Sequence, residues 1–336
     1  MPKVDTVVIG ASAGGVEAIT RLIALLPADF PAAILVVIHF PERGTSVLPQ
    51  ILARNGRLKA VSAEDGLVTE NGIVYCAPPG RHLLIRDGHM NLVNGPKENG
   101  NRPAIDPLFR TAAHARKNRV VSVLLSGLLD DGTMGTWSVR RQGGVTICQD
   151  PEDALFGDMP RHAIESGSAA YVLPLEAIAR KLIELAGCEI PEITPDDDMP
   201  DPTEMSLDEL AELEKRGAPS AFTCPECHGT LFEFAEEGVM HYRCRVGHSY
   251  LPDSLSANQE GVLEAALWTA LRAIEEHNDL LGNLLSRAES RGFDVTAKGY
   301  RAKLEEGAHR MDLLRHVLGL GHNNPLPDEA ATNAQA

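Results

Sequence analysis

Five short, almost unbroken apolar runs punctuate the first 187 residues of the chain: TVVIG, AAILVVIHF, RVVSVLLSG, GVTICQD and AAYVLP. Between them lie stretches with helical spacing, among them GVEAITRLIALL, SVLPQILARNG, DPLFRTAAHARKN, TMGTWSVRRQGG, PRHAIESG and LEAIARKLIELAG. A strand that is apolar at nearly every position has no solvent-facing side and must be covered on both faces. Helices recurring between such strands supply both the cover and the crossovers. The pattern predicts an α/β fold built on a doubly wound, mainly parallel sheet over residues 1–187. One stretch departs from it: GIVYCAPPGRHLLIRDGHMNLVN, whose Gly, Pro and Asp-Gly punctuation predicts a local antiparallel hairpin.

After Gly187 the texture changes. The segment CEIPEITPDDDMPDPTE carries four prolines and seven acids with neither Lys nor Arg, and residues 188–205 read as an extended linker. Ser206 and Glu209 then form a capping-box signature for a short helix, which leads into a small Cys-bearing module over 206–254. Over 255–322, apolar positions at Leu263, Leu267, Leu271 and Ile274, and again at Leu304, Met311 and Leu314, predict two antiparallel helices turning at SRGFDVT. This pair is a candidate surface for a homo-oligomer or a partner, and residues 323–336 read as a disordered tail. The start MPKVDTVVIG is no signal segment, and no run reaches about 18 apolar residues, so a cytoplasmic chain without membrane insertion is expected. With 31 Lys and Arg against 47 Asp and Glu, the net charge of −16 argues against nucleic acid as a partner.

The first strand runs into Gly10-Ala11-Ser12-Ala13-Gly14-Gly15. A dinucleotide-binding turn needs Gly-x-Gly-x-x-Gly, and a serine stands where the middle glycine would approach the pyrophosphate. That reading also needs an acid closing the second strand, which here ends in His39 and Phe40. The string is instead Gly-x-Ser-x-Gly, which presents a serine hydroxyl on a tight strand-to-helix turn. A parallel sheet gathers its functional loops at the C-terminal ends of its strands. Ser12 follows the first strand, His39 closes the second, and VVSVLLSGLLDDG carries a later one into Asp130 and Asp131. A serine hydroxyl needs a base to remove its proton, and an aspartate fixes the tautomer of that base. Ser12 as nucleophile, His39 as base and one of the two aspartates form the expected constellation, with amides at the start of the following helix as oxyanion donors. Taken singly, each residue is equally an ordinary one: a strand-end histidine, or an aspartate capping a turn.

The motifs IGASAGGVEAI, VVIHFP, EDGLVTENGIVYCAPPGRHL, NRPAIDPLF, LLSGLLDDGTMG and FGDMPRHAI, in this order from about Val4 to Leu185, resemble the catalytic domain of the CheB family of chemotaxis protein-glutamate methylesterases. The resemblance implies a hydrolase that removes methyl esters from glutamyl side chains of chemoreceptors, also deamidating glutamine, and that needs no cofactor for catalysis. It maps the family triad onto Ser12, His39 and Asp131, selecting the aspartate directly before glycine. The family's N-terminal receiver domain has no counterpart before the first strand. The chain also reads Gly127-Leu128-Leu129 where Gly-Met-Gly is usual, and Ala13 where threonine often follows the nucleophile. Alternatives are an esterase-like scaffold whose altered site no longer turns over, and a hydrolase of another ester or amide.

Cys76, Cys148 and Cys188 stand alone and read as reduced thiols, whereas Cys224-Pro-Glu-Cys227 is separated by sixteen residues from Cys244-Arg-Val-Gly-His248. This is the spacing of a zinc ribbon with three thiolates and one imidazole. His228 and His241 are weaker substitutes for His248. Phe232, Phe234 and Tyr242 fit a hairpin across the gap. A complete four-ligand set leaves no position for a reacting water, so the expected Zn2+ is structural. Similar tails ending in strings like RCRVGHSY accompany some stand-alone members of the family that the chain resembles.

Overall fold

The computed structural model describes residues 2–41, 44–191, 217–236 and 238–320, in two compact units, 1–256 and 257–336. The helix expected at Ser206, most of the acidic linker and the C-terminal tail lie outside the described residues.

The first unit is built on a seven-stranded, all-parallel sheet. Its strands are β1 (Thr6–Ala11), β2 (Ala33–Ile38), β3 (Lys59–Ser62), β4 (Ile73–Cys76), β7 (Val120–Leu124), β8 (Val145–Gln149) and β9 (Tyr171–Leu173), ordered β3-β4-β2-β1-β7-β8-β9. β5 (His82–Arg86) and β6 (His89–Val93) form a separate antiparallel hairpin. Five helices connect these strands, α1 (Gly15–Ala24), α2 (Leu48–Asn55), α3 (Ile105–Arg116), α4 (Thr133–Arg141) and α5 (Asp158–Glu165), and α6 (Leu175–Leu185) follows β9. Alternate residues of β1 face opposite cores. Val7 and Ile9 pack with α1, α2 and α6, through Ile19, Leu52 and Leu182, while Val8 packs with α3, α4 and α5, through Phe109, Val139 and Met159.

The sequence expectation of a two-sided parallel sheet holds, with one correction at its edge. Ile73–Cys76, within the stretch expected to run antiparallel, is a parallel strand of the main sheet between β3 and β2. Four apolar residues carry no period that separates a buried parallel strand from one arm of a hairpin. The edge strand β3, with a half-exposed KAVS sequence, carries no apolar signal either.

β1 lies between β2 and β7. The chain winds from β1 to β2, steps out to β3 at the edge and back in to β4, then returns to β7 and winds the other way. The ends of β1, β2 and β7 therefore surround the point where the winding reverses, which is where open α/β sheets place their sites.

Further along the first unit, β10 (Ala218–Thr223), β11 (Thr230–Glu236), β12 (Val239–Cys244) and β13 (Ser249–Tyr250) form an antiparallel sheet in sequential order. Helix α7 (Pro252–Ser290) follows directly, and α8 (Asp294–Val317) returns against it. Arg315 pairs with Glu275 at 3.0 Å and Arg301 with Glu289, so the two helices run antiparallel as expected.

Candidate active site

β1 stays apolar through Ala11, and the turn begins at Ser12. Gly14 caps α1 with φ 72°, a left-handed conformation that an L side chain adopts only at a cost. A Cβ there would also lie 2.8 Å from Ser126 Oγ and 3.0 Å from Leu155 Cβ. The turn is pinned from β7: the Ser12 amide donates to Ser126 O at 2.9 Å, and Ser126 Oγ donates to Ala13 O at 2.8 Å. Gly127 comes so close that an added Cβ would meet Ser12 Cβ at 3.0 Å and overlap Met159 Sδ.

Ser12 Oγ lies 3.0 Å from His39 Nδ1, and His39 Nε2 lies 2.7 Å from Asp131 Oδ2. An ionised carboxylate only accepts, so Nε2 carries the ring proton and the Nδ1 lone pair is left to accept from the serine hydroxyl. His39 is 12% exposed and Asp131 2% by side chain. The two aspartates that the local sequence left undivided face apart. Asp131 meets the imidazole, while Asp130 accepts from the amides of Asp253 at 2.9 Å and Ser254 at 3.2 Å and from the Ser254 hydroxyl.

Asp131 is held by more than His39. Its Oδ2 also accepts from the Ile105 amide at 2.8 Å, and its Oδ1 accepts from Asn99 Nδ2 at 3.0 Å, Gly132 N at 2.9 Å and Asp106 N at 3.3 Å. Ile105 and Asp106 open α3, whose N-cap, Ala104, offers no side-chain acceptor. Asp131 thus takes the place of a cap, accepting two first-turn amides that have no partner within the helix. Burial pushes its carboxyl up, but the hydrogen bond and charge of His39, the Ile105 amide and Asn99 outweigh this and bring it down to about 2. Asp106 goes the other way. Burial, then the charge of Asp131, raises it well above the ordinary carboxylate range, although the Gly135 amide donates to it at 2.6 Å. The two buried carboxyls are thus driven in opposite directions, Asp131 toward the anion and Asp106 toward the protonated acid.

Asn99, Asp106 and Ser126 are absent from the sequence reading. Ser126 lies just beyond the C-terminal end of β7, so the strand-end argument that selects His39 applies to it as well. Asn99 lies in the irregular stretch GPKENGNRP, with φ 51°, and no period or spacing marks it.

A second cluster lies at two turns of the antiparallel sheet, those joining β10 to β11 and β12 to β13. The Sγ atoms of Cys224, Cys227 and Cys244 and a ring nitrogen of His248 all fall within 4.8 Å of one another. The Cys224 amide donates to Gly229 O at 2.8 Å and the Cys244 amide to His248 O at 3.0 Å, closing two knuckles that aim these donors inward. His241 instead stacks on Phe234, with ring centroids 5.1 Å apart, and His228 is not in the cluster. Cys244 beside Cys224 draws the Cys224 thiol far below its ordinary range and is itself raised. Closely packed donors competing for protons in this way are the usual setting of a soft divalent cation.

A family model described as CheB methylesterase matches residues 7–182, just over half of the chain. The crystal structure of the Thermotoga maritima CheB methylesterase catalytic domain superposes with a TM-score of 0.53 at 38% identity, covering 55% of this chain and 100% of that one. The protein-glutamate methylesterase/protein-glutamine glutaminase of Thermotoga maritima is 39% identical over 183 residues, 53% of each chain. Protein-glutamate methylesterase FrzG of Myxococcus xanthus is 36% identical over 184 residues, 54% of this chain and 55% of its own. The chain thus spans about half the length of these two, whereas a relative from Leptospira interrogans, 38% identical over 182 residues, is matched over 94% of its length. On the parallel sheet, the serine turn at its winding switch and the match over residues 7–182, the chain belongs to the CheB methylesterase family.

Proposed function

We propose that the protein is a protein-glutamate methylesterase that hydrolyses glutamyl methyl esters on a chemoreceptor, and by the same route deamidates glutamine, with Ser12, His39 and Asp131 as its catalytic triad. The observation that carries this is the unbroken chain of hydrogen bonds from Ser12 Oγ through both ring nitrogens of His39 to Asp131. The names of the relatives supply the ester and amide class.

In this reading Ser12 Oγ attacks the ester carbonyl while its proton passes to His39 Nδ1. The imidazolium so formed keeps its Nε2–H on Asp131, whose charge stabilises it. Backbone amides at the start of α1, beyond Ser12, receive the developing oxyanion. His39 Nδ1–H then protonates the departing methoxide, methanol leaves, and a γ-glutamyl ester of Ser12 remains. A water deprotonated by His39 attacks this acyl group, the Ser12 Oγ bond breaks, and glutamate is released with the serine hydroxyl restored. With glutamine the leaving group is ammonia.

Replacing Ser12 by alanine removes the attacking atom from a half-buried turn and leaves the backbone hydrogen bond of residue 12 intact. Methanol release from a methylated receptor should fall to background with the fold unchanged by circular dichroism. Release at the wild-type rate in Ser12→Ala would falsify the assignment.

We also assign the cluster of Cys224, Cys227, Cys244 and His248 to a structural Zn2+. Three thiolates and one imidazole suit its tetrahedral preference and complete its ligand set. Its role is in folding, and it takes no part in the hydrolysis. The same reading places the protein in the cytoplasm, in keeping with free thiols at Cys76, Cys148 and Cys188 and with no helix among the described residues long and apolar enough to cross a membrane.

A further inference from the structure

The antiparallel sheet does not merely follow the esterase fold in sequence; it touches the residues that hold the triad aspartate. Asn99 N–H donates to Ser249 O at 2.8 Å, and Lys97 O accepts from Ser249 N at 3.4 Å, so β13 pairs with the segment around Asn99. Two residues after β13's start, the Leu251 amide donates to Asn99 Oδ1 at 2.9 Å. The other end of that carboxamide spends its two hydrogens on two carboxyls, Asp131 Oδ1 and Asp106 Oδ2, each at 3.0 Å. Asn99 is 3% exposed. Its orientation is fixed by chemistry, because a flipped amide would aim its oxygen at the Asp131 carboxylate and its NH2 at the Leu251 N–H. The left-handed backbone at residue 99 suits asparagine better than most residues.

The neighbour of Asp131 in the chain is tied to the same segment. Asp130 accepts the first-turn amides of α7, those of Asp253 and Ser254, just as Asp131 accepts those of α3. His162 joins the two sides as well, with Nδ1 2.9 Å from Leu129 O and Nε2 2.7 Å from Asp253 Oδ2. Asp131 is therefore braced on one side by Asn99 and on the other by Asp130. Both braces end on residues 249–254, which begin directly after His248, the last residue of the Cys3His cluster.

We infer that Asn99 is a positioning residue for Asp131, set in place by the Leu251 amide, so that the Ser12–His39–Asp131 site is complete only while the Cys3His module is folded against it. The inference rests on the triad reading above. Asn99 touches no substrate atom. It shares the charge of Asp131 and holds the carboxylate in the plane where Oδ2 meets His39 Nε2. Without that donor, Asp131 presents a less compensated charge to the imidazole, which stabilises the imidazolium relative to the free base. A module whose metal ligands lie three residues from this amide then acts on turnover while taking no part in the chemistry.

The test uses the full chain and methanol release from a methylated receptor, with four proteins: wild type, Asn99→Ala, Cys224→Ser/Cys227→Ser, and the combination. Asn99→Ala should lower kcat roughly 10- to 100-fold, the size of one lost charge-assisted hydrogen bond, with KM little changed. It should also move the acid limb of kcat/KM to higher pH, a readout that loss of packing alone would not shift. Asn99→Asp, of the same shape but without the donors, should be impaired at least as much, and it replaces the alanine variant should that one not fold. The Cys224→Ser/Cys227→Ser protein should show the same displaced limb, and its cost should largely vanish in the Asn99→Ala background. Wild-type kcat and an unmoved limb in either Asn99 variant overturn the positioning role. An absent cost of the cysteine changes, or an equal cost in both backgrounds, overturns the link to the module. Neither outcome touches the triad reading, whose failure is read separately from methanol release by Ser12→Ala.

Discussion

Asp131 carries two jobs with one charge: it accepts five hydrogen bonds, two of them from the open first turn of α3, and it faces the imidazole. A carboxyl drawn down to about 2 in the folded chain, against an ordinary value near 4 when unfolded, stabilises the fold by roughly 2 kcal/mol above the unfolded value. That contribution is lost as pH falls from about 4 to about 2, because protonation then becomes possible in both states. Asp106 has the opposite sign. Its raised pKa contributes stability that is complete below the unfolded value and fades as pH climbs toward the folded one. Asp131→Asn should therefore do two separable things. Turnover should drop by about 10⁴, the scale found when a triad aspartate loses its charge but keeps its shape. The fall in urea midpoint between pH 4 and pH 2 should also flatten relative to wild type. An unchanged acid-side slope would show that the charge is not what the fold draws on. At this scale the sequence made Ser12 and His39 legible, since both close apolar strands at the sheet's functional end. The choice between Asp130 and Asp131 was not legible from the residues, because each caps a helix that only the tertiary fold brings to it. Asn99 left no trace at all: its role depends on three partners spread over 152 residues of chain.

Among the elements, the small antiparallel sheet is the one least able to hold itself together. Its buried apolar cluster amounts to Leu231, Tyr250 and Leu255 packed with Cys224 and Cys244. A core of that size does not offset the chain entropy of ordering four strands, and under the zinc assignment proposed above an ion supplies the difference. Metal analysis of the purified chain should find about one zinc per chain, and Cys224→Ser/Cys227→Ser should lose it. In that variant, limited proteolysis should cut between β10 and β13 while the parallel sheet survives. Full metal content, or an uncut module, would remove the ion from its structural role. The convergence of Cys224, Cys227, Cys244 and His248 was readable from spacing alone, because two Cys-bearing knuckles separated by a hairpin's length come together when the hairpin closes. The parallel strands β1, β2, β7 and β8 were readable for a different reason: burial on both faces leaves unbroken apolar runs. β3 and β4 escaped because one is half exposed at an edge and the other is too short to show a period. The turn at Leu129 gives a physical reason for the glycine the family usually places there, since the residue sits at φ 64°, where a side chain costs about 1 kcal/mol.

For the whole molecule, the distribution of buried apolar groups sets which parts open first. In the parallel sheet, Val7, Val8, Ile9, Leu35, Val36 and Val121 are each 0% exposed, packed between helices on both faces. The helical hairpin has far less to lose by opening. Leu271, Leu281, Ala288 and Ala297 are its buried apolar side chains among the described residues, while Leu263 is 60% exposed and Val295 89%. Its contact also carries a polar flaw. Asn278 Oδ1 is buried without a hydrogen-bond partner among the described residues, opposite Gly307, where a Cβ would collide with it. Two helices with a thin apolar seam and solvated backbones open at low free energy, whereas the central strands open only with the whole domain. In hydrogen exchange of the full chain, peptides from α7 beyond Ala257 and from α8 should therefore exchange about 10³-fold or more faster than peptides from β1, β2 and β7, a gap of about 4 kcal/mol in opening free energy. In urea the hairpin should lose its helical signal in a transition of its own, before the sheet unfolds. Equal protection of α8 and β1, or a single coincident transition, would mean that the hairpin draws stability from contacts beyond its own seam.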